Sequence, residues 1–188
     1  MLIIENSTNR DDQGFCSNCH SCVEPCGRKH ERSLGVSSIV KGKKKLSRPC
    51  KPCKSVAEGE LLGQKMIEIL KTTATGVGLA ANQIGYNKRV CVINVSEPII
   101  LVNPRITSKF GRINFVEGCL SFPDETVVTE RYANISVSAD NHESSLFFRV
   151  EDNALECVCV QHEIDHLDGI TMHDRKINHD GDFTELKL

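Results

Sequence analysis

The sequence predicts an α+β fold, with antiparallel β-sheets packed around one central helix. Three observations predict it. Residues 55–73 carry a helical apolar period, and residues 89–151 hold several strand-like runs. Residues 153–169 carry a second helical period, with two histidines on its apolar face. At 188 residues, 39% of them hydrophobic, the chain is long enough for one domain with a real core and a small appendage.

The elements follow in chain order. Residues 1–33 are polar and Cys-rich, without a regular period, and residues 34–54 are basic, with SSIV as a short strand before KGKKK. Ser55-x-x-Glu58 reads as a capping box opening a helix that turns Leu62, Met66, Ile69 and Leu70 to one side. The helix should end near Thr73, where TATGVG supplies turn residues. RVCVINV, IILVNPRI, VVTERYANISVSAD and SLFFRVE have the branched, alternating character of strands, and Asn141-His142 is a turn between the last two. Asn153-x-x-Glu156 starts the second helix and Gly169 suits its end.

Charge and cysteine are uneven. Between Arg28 and Lys54 there are ten Lys or Arg against the single acid Glu31, although the whole chain has a net charge of −2. Six of the ten cysteines (Cys16, Cys19, Cys22, Cys26, Cys50 and Cys53) fall in the first 53 residues. No apolar run approaches the roughly 18–20 residues of a membrane span. The opening MLIIENSTNRDDQG has no basic leader, so neither a secretory signal nor a transit peptide is expected, and a cytoplasmic location is. In that setting metal binding is the stronger reading of the clustered cysteines, and disulfides the weaker.

His162-Glu163-x-x-His166 carries the first chemical signal. Residues four apart share a helical face, so two imidazoles can bind one cation, and Glu163 stands beside them as a general base. The bland alternative is a surface helix, but unpaired imidazoles on an apolar face would be costly. A catalytic site wants a third protein ligand. The protease pattern that continues to a third His fails here, because position 172 is Met and the histidine comes one residue late, at His173. Only 15 residues remain after it, and Glu185 lies in the tail. Upstream, EGCLS offers Cys119, which alone reads more often as a small buried hydrophobe than as a ligand. GVGLAANQ offers glycines that admit a close ligand and the Gln83 amide, or simply a tight turn into a strand.

GVGLAANQ, EGCLS and QHEIDHLDG, in this order and at these separations, resemble the three motifs of the peptide deformylases. The resemblance spans about residues 46–175 and implies a deformylase-like fold. It implies hydrolysis of the N-formyl group from N-formylmethionine on new polypeptides, with release of formate. It places the metal on Cys119, His162 and His166, with Fe(II) the usual ion and Ni, Co or Zn as substitutes. Glu163 would be the base, and Gln83 with the Leu120 backbone N–H would hold the oxyanion. Val77, Gly78, Leu155, Val158 and Cys159 would receive the methionine, with Gly78 pairing to the extended peptide. Glu117 and Arg131 match a structural ion pair of the family.

There are departures. Thr126 stands where many bacterial members carry an Arg that helps bind the peptide, and the short C-terminus resembles phage-encoded members. The N-terminal run C-x-x-C-x-x-C-x-x-x-C has iron–sulfur spacing, but Pro25 precedes its last Cys and no second run exists. A zinc site on Cys16, Cys19, Cys22 and Cys26, joined by Cys50, Cys53 or His30, and a reduced disordered tail stand as alternatives. The basic stretch is either a solvated linker or a contact with ribosomal RNA. The expected division is a Cys-rich extension (1–33), a catalytic domain (34–175) and a short tail (176–188), acting as a monomer without membrane association. A zincin-type protease and a metal-stabilised RNA-binding module are the competing function classes.

Every proposed catalytic residue lies at or after Val77, and residues 1–33 carry few large apolar groups. A chain starting at Leu34 should therefore fold and act on a short formylated peptide at nearly the full-length rate. Retained metal with lost turnover would show that the extension shapes the site.

Overall fold

The computed structural model describes residues 39–177. Cys16, Cys19, Cys22, Cys26, His30 and Glu185 lie outside them, as do all but Lys176 and Ile177 of the expected tail. The described elements run α1 (Lys43–Leu46), α2 (Val56–Lys71), β1 (Gly78–Ala80), β2 (Val90–Ile93), β3 (Ile99–Val102) and β4 (Arg105–Phe110). They continue with β5 (Ile113–Cys119), β6 (Phe122–Arg131), β7 (Asn134–Ser138), β8 (Leu146–Arg149) and α3 (Val150–Leu167). Every strand pair is antiparallel: β1-β2-β3 and β4-β7-β8 form three-stranded sheets, and β5-β6 a hairpin. Among the described residues no helix is long and apolar enough to cross a membrane.

Local signals place both long helices. The Ser55 side chain accepts the Glu58 N–H at the head of α2, and Leu62, Met66 and Leu70 are buried along it while Ile69 is half-buried. Glu58 does not close the box onto Ser55. Its carboxylate takes the Lys54 N–H and the Lys88 ammonium instead. In α3 the backbone of Asn153 is not helical, and its Oδ1 caps the Glu156 N–H at 3.0 Å. The continuous helix therefore starts after Asn153, as its sequence predicts. Gly169 closes it at φ 75°, a left-handed conformation that glycine adopts without steric cost.

Alternation along β2 sorts the core. Val90 and Val92 pack with Leu62, Met66 and Leu70 of α2, whereas Cys91 and Ile93 pack with Cys157, Val160 and Ile164 of α3. The first sheet is thus covered on both faces, and its strands read as continuous apolar runs. Ile135, Val137 and Phe148 of the second sheet join the same core around α3. The helix with the histidines is central, and every residue from Cys157 to Leu167 is buried.

Several sequence expectations need correction. SSIV does not begin a strand at its described residues: Ile39 and Val40 lie outside any ladder, and KKKL forms the short α1, anchored by the fully buried Leu46. VVTERYANISVSAD is split between β6 and β7, because Gln161 of α3 accepts the Tyr132 N–H and donates to the Tyr132 carbonyl, each at 2.9 Å. EGCLS is not all loop; Glu117, Gly118 and Cys119 end β5, and Leu120 and Ser121 form the turn. Cys50 packs with the α3 core and Cys53 with the α2 core; Cys16, Cys19, Cys22 and Cys26, which either was expected to join, lie outside the described residues.

Gly59 sits inside α2 against β3. A Cβ there would lie 2.4 and 2.6 Å from the two γ-carbons of the fully buried Val102. In an open helix Gly→Ala gains about 1 kcal/mol from backbone propensity. Here the overlap should outweigh that gain, so Gly59→Ala should lower stability by roughly 1–2 kcal/mol in urea unfolding. An unchanged or higher midpoint would mean that the helix–sheet spacing relaxes freely.

Candidate metal centre

Three elements bring the donors together. α3 supplies His162 and His166, whose rings stand edge to face with centroids 4.7 Å apart. The end of β5 supplies Cys119, and its Sγ lies 3.3 Å from His166 Nε2. One ligand atom from each of Cys119, His162 and His166 falls within 4.8 Å of the other two. Among the described residues this is the group of three or more His, Cys, Asp or Glu able to hold an ion. His173, the protease alternative, instead packs on the Phe122 ring edge and lies 3.4 Å from Glu125.

The surroundings suit a cation. Glu117 Oε2 is 2.6 Å from His162 Nδ1, which fixes the ring and leaves Nε2 for a metal. Arg131 donates to both oxygens of Glu117, at 2.5 and 2.9 Å, and Thr129 donates to one of them. Burial alone would raise the Glu117 carboxyl, but His162 and Arg131 outweigh it and hold the group well below the usual carboxylate range. At His162 burial disfavours charge, yet Cys119 and Glu117 prevail and push the ring well above its ordinary value. That pocket favours positive charge at this point, which a divalent ion held by Cys119 and the two imidazoles would supply. His166 is held neutral by burial, with the charges of His162 and Arg131 acting the same way. A neutral imidazole is the form that binds metal.

A cleft of about 650 Å³ opens over this group. It is lined by every sequence-predicted substrate residue: Val77, Gly78, Leu155, Val158 and Cys159. Gln83, Leu120 and Glu163 line it too. Gln83 is buried; its Oε1 takes the Ala80 N–H at 2.8 Å, and its Nε2 lies 3.2 Å from Ser121 Oγ and 3.5 Å from Cys119 Sγ. Burial pushes the Glu163 carboxyl up to about 7, with His162 opposing and Glu117 adding to the rise. Its Oε2 is buried and has no hydrogen-bond partner among the described residues. Gly78 is needed for proximity, because a Cβ there would lie 2.5 Å from both Cys159 Sγ and Glu163 Oε1. Among the described residues β1 pairs with β2 alone, and its other edge is unpaired there.

Sequence reasoning missed two features. Asp165, between the histidines, accepts Arg131 Nη1 at 2.5 Å and both Arg175 Nε and Nη2, at 2.9 and 2.7 Å. The intervening Asp of HEIDH was the one signal for it. Lys41 also lines the cleft, although its segment reads as a basic linker.

Comparison with known proteins agrees with this geometry. The family model described as polypeptide deformylase matches residues 36–181. A peptide deformylase of Heliobacterium modesticaldum is 44% identical over 120 residues, which cover 62% of this chain and 79% of that protein. The crystal structure of peptide deformylase from Thermotoga maritima superposes with a TM-score of 0.67 at 30% identity, covering 74% of this chain and 97% of that one. A probable peptide deformylase from Synechococcus phage S-SSM7 gives 0.64 at 33% identity, covering 73% and 97%.

Metal affinity should rank by distance from the ion. Glu117→Gln, which weakens the hold on His162, should cost roughly 10–100-fold in competition with a chelator. Cys119→Ser replaces a thiolate with a poorly ionised hydroxyl and should cost more. Wild-type affinity in Cys119→Ser would assign the third ligand to another residue.

Proposed function

The chain belongs to the polypeptide deformylase family, and we propose that it is a metal-dependent amide hydrolase that removes the formyl group from N-formylmethionine of newly synthesised polypeptides. Formate and a free peptide amine are the products. One observation carries the reading: the Cys119, His162 and His166 donors converge beside a cleft that also presents Glu163, Gln83 and Leu120.

When bound, a divalent ion supplies Lewis acidity and activates water for attack on the formyl carbon. We take it to be Fe(II), with Ni, Co or Zn as substitutes. The methionine side chain enters the apolar part of the cleft at Val77, Leu155, Val158 and Cys159. The extended peptide adds to the unpaired edge of β1 at Gly78. Glu163 takes a proton from the attacking water and later delivers it to the departing amine as the C–N bond breaks. A carboxyl shifted to about 7 by burial suits a group that both accepts and returns a proton. Gln83 Nε2 and the Leu120 N–H hold the oxyanion.

The position of His173 weighs against the protease reading, because it stands against Phe122 and Glu125 and outside the donor group. Cytoplasmic action as a monomer, a ribosomal RNA contact through the basic stretch, and zinc on Cys16, Cys19, Cys22 and Cys26 belong to the same proposal.

Iron-loaded protein prepared without oxygen should release formate from a formyl-Met peptide and leave internal peptide bonds intact. Glu163→Gln should keep its metal while turnover falls by roughly 10²-fold or more. Near-normal turnover in that variant would remove Glu163 as the base, and internal cleavage without formate would restore the protease reading.

A further inference from the structure

Residues 39–43 connect to both loops that hold the proposed oxyanion donors. The Val40 N–H donates to the Gln83 carbonyl at 2.7 Å, and the Gly42 N–H to the Ser121 carbonyl at 3.5 Å. Between them Lys41 Nζ donates to the Leu120 carbonyl at 2.6 Å. Two anchors hold this segment in place: Leu46 is fully buried, and Lys43 Nζ pairs with Asp174 at 2.5 Å. Among the described residues that line the cleft Lys41 is the one Lys or Arg, and position 126 is Thr.

Leu120 needs an external hold. It stands in the two-residue turn between β5 and β6, where Cys119 already pairs with Phe122 and the ladder ends. The Leu120 N–H belongs to the Cys119–Leu120 peptide and its carbonyl to the Leu120–Ser121 peptide. The two planes meet at the Leu120 Cα, so a grip on the carbonyl restricts the backbone rotation that would swing the N–H away. An ammonium–carbonyl bond is charge-assisted and stronger than a neutral one. The Gln83 amide faces the same turn through Ser121 Oγ, and the segment bonds the backbone carbonyls of both residues that carry the donors.

We infer that Lys41 is a positioning residue of the oxyanion-binding groups: it holds the Leu120 carbonyl, limits backbone rotation at Leu120, and so keeps the N–H of that residue aimed at the charge that develops on the formyl oxygen. The inference rests on the deformylase reading above. Water can replace the ammonium as a partner of the Leu120 carbonyl, but it does not fix the direction of the bond. The loss should therefore appear in the chemical step and not in peptide binding.

The test uses the metal-loaded full chain and a short formyl-Met peptide, with kcat and KM measured separately. Lys41→Met keeps the apolar stem and removes the donor. Its kcat should fall about tenfold, less than the roughly 10²-fold or greater loss expected when an oxyanion donor is removed outright. KM, metal content and thermal midpoint should stay at the wild-type values. Lys41→Arg restores an N–H donor and should recover most of kcat. A raised KM with unchanged kcat would overturn the inference and make Lys41 a peptide-binding group. Failure of Lys41→Arg to improve on Lys41→Met would overturn it as well. Gln83→Leu separates the two levels of the argument. If kcat falls in Gln83→Leu but not in Lys41→Met, the Lys41 assignment alone is wrong. If neither variant changes kcat, the oxyanion reading fails and takes this inference with it.

Discussion

The buried carboxylate of Glu117 is the constraint on which the site depends. It lies on β5, two residues before Cys119, and binds His162 of α3 and Arg131 of β6 at once. Through Arg131 the network reaches Asp165, and through Asp165 it reaches Arg175, beyond the end of α3. One set of ion pairs thus fixes the hairpin that carries Cys119 against the histidine-bearing helix. Burying such charges is expensive, and only near-complete hydrogen bonding offsets the loss of water. Arg131 and Glu117, each 3% exposed at the side chain, meet that condition.

This network also sets the charge of the site. Arg131 is answered by Glu117 and Asp165, and Asp165 again by Arg175, while the Glu117 carboxylate favours positive charge at His162 itself. Glu163 stands apart from the ion pairs. Its neighbours are the Gly78 backbone and the Cys159 thiol, and burial there raises its proton affinity. Two carboxylates on the same cleft are therefore driven in opposite directions, Glu117 to permanent charge and Glu163 to a carboxyl able to gain and lose a proton.

Packing supplies the precision. Glycine at 78 brings the edge strand onto Glu163 and Cys159 at a distance that a side chain would forbid. Asn82 Nδ2 grips the His166 carbonyl at 2.7 Å, and Gln161 holds the opposite side of α3 to the break between β6 and β7. The helix is clamped by polar side chains along its length, within a core that is otherwise apolar.

What the sequence by itself determined was mostly local. The Ser55 and Asn153 caps, the apolar period of α2 and the four-residue spacing of His162 and His166 act within a turn or two of backbone. They are legible because the partners are neighbours in the chain. The three spaced motifs added the proposed ligands and the residues expected to line the cleft, and the fold brings these side by side. Tertiary structure decided what no local pattern encodes. Glu117 meets His162 across 45 positions and Lys41 meets Leu120 across 79. Gln161 breaks a strand run at Tyr132, 29 positions away. Cys50 and Cys53, with two residues between them, pack in different clusters of the core. Such pairings depend on where whole elements dock, and docking is set by the summed burial of their faces, not by the residues on either side of the contact.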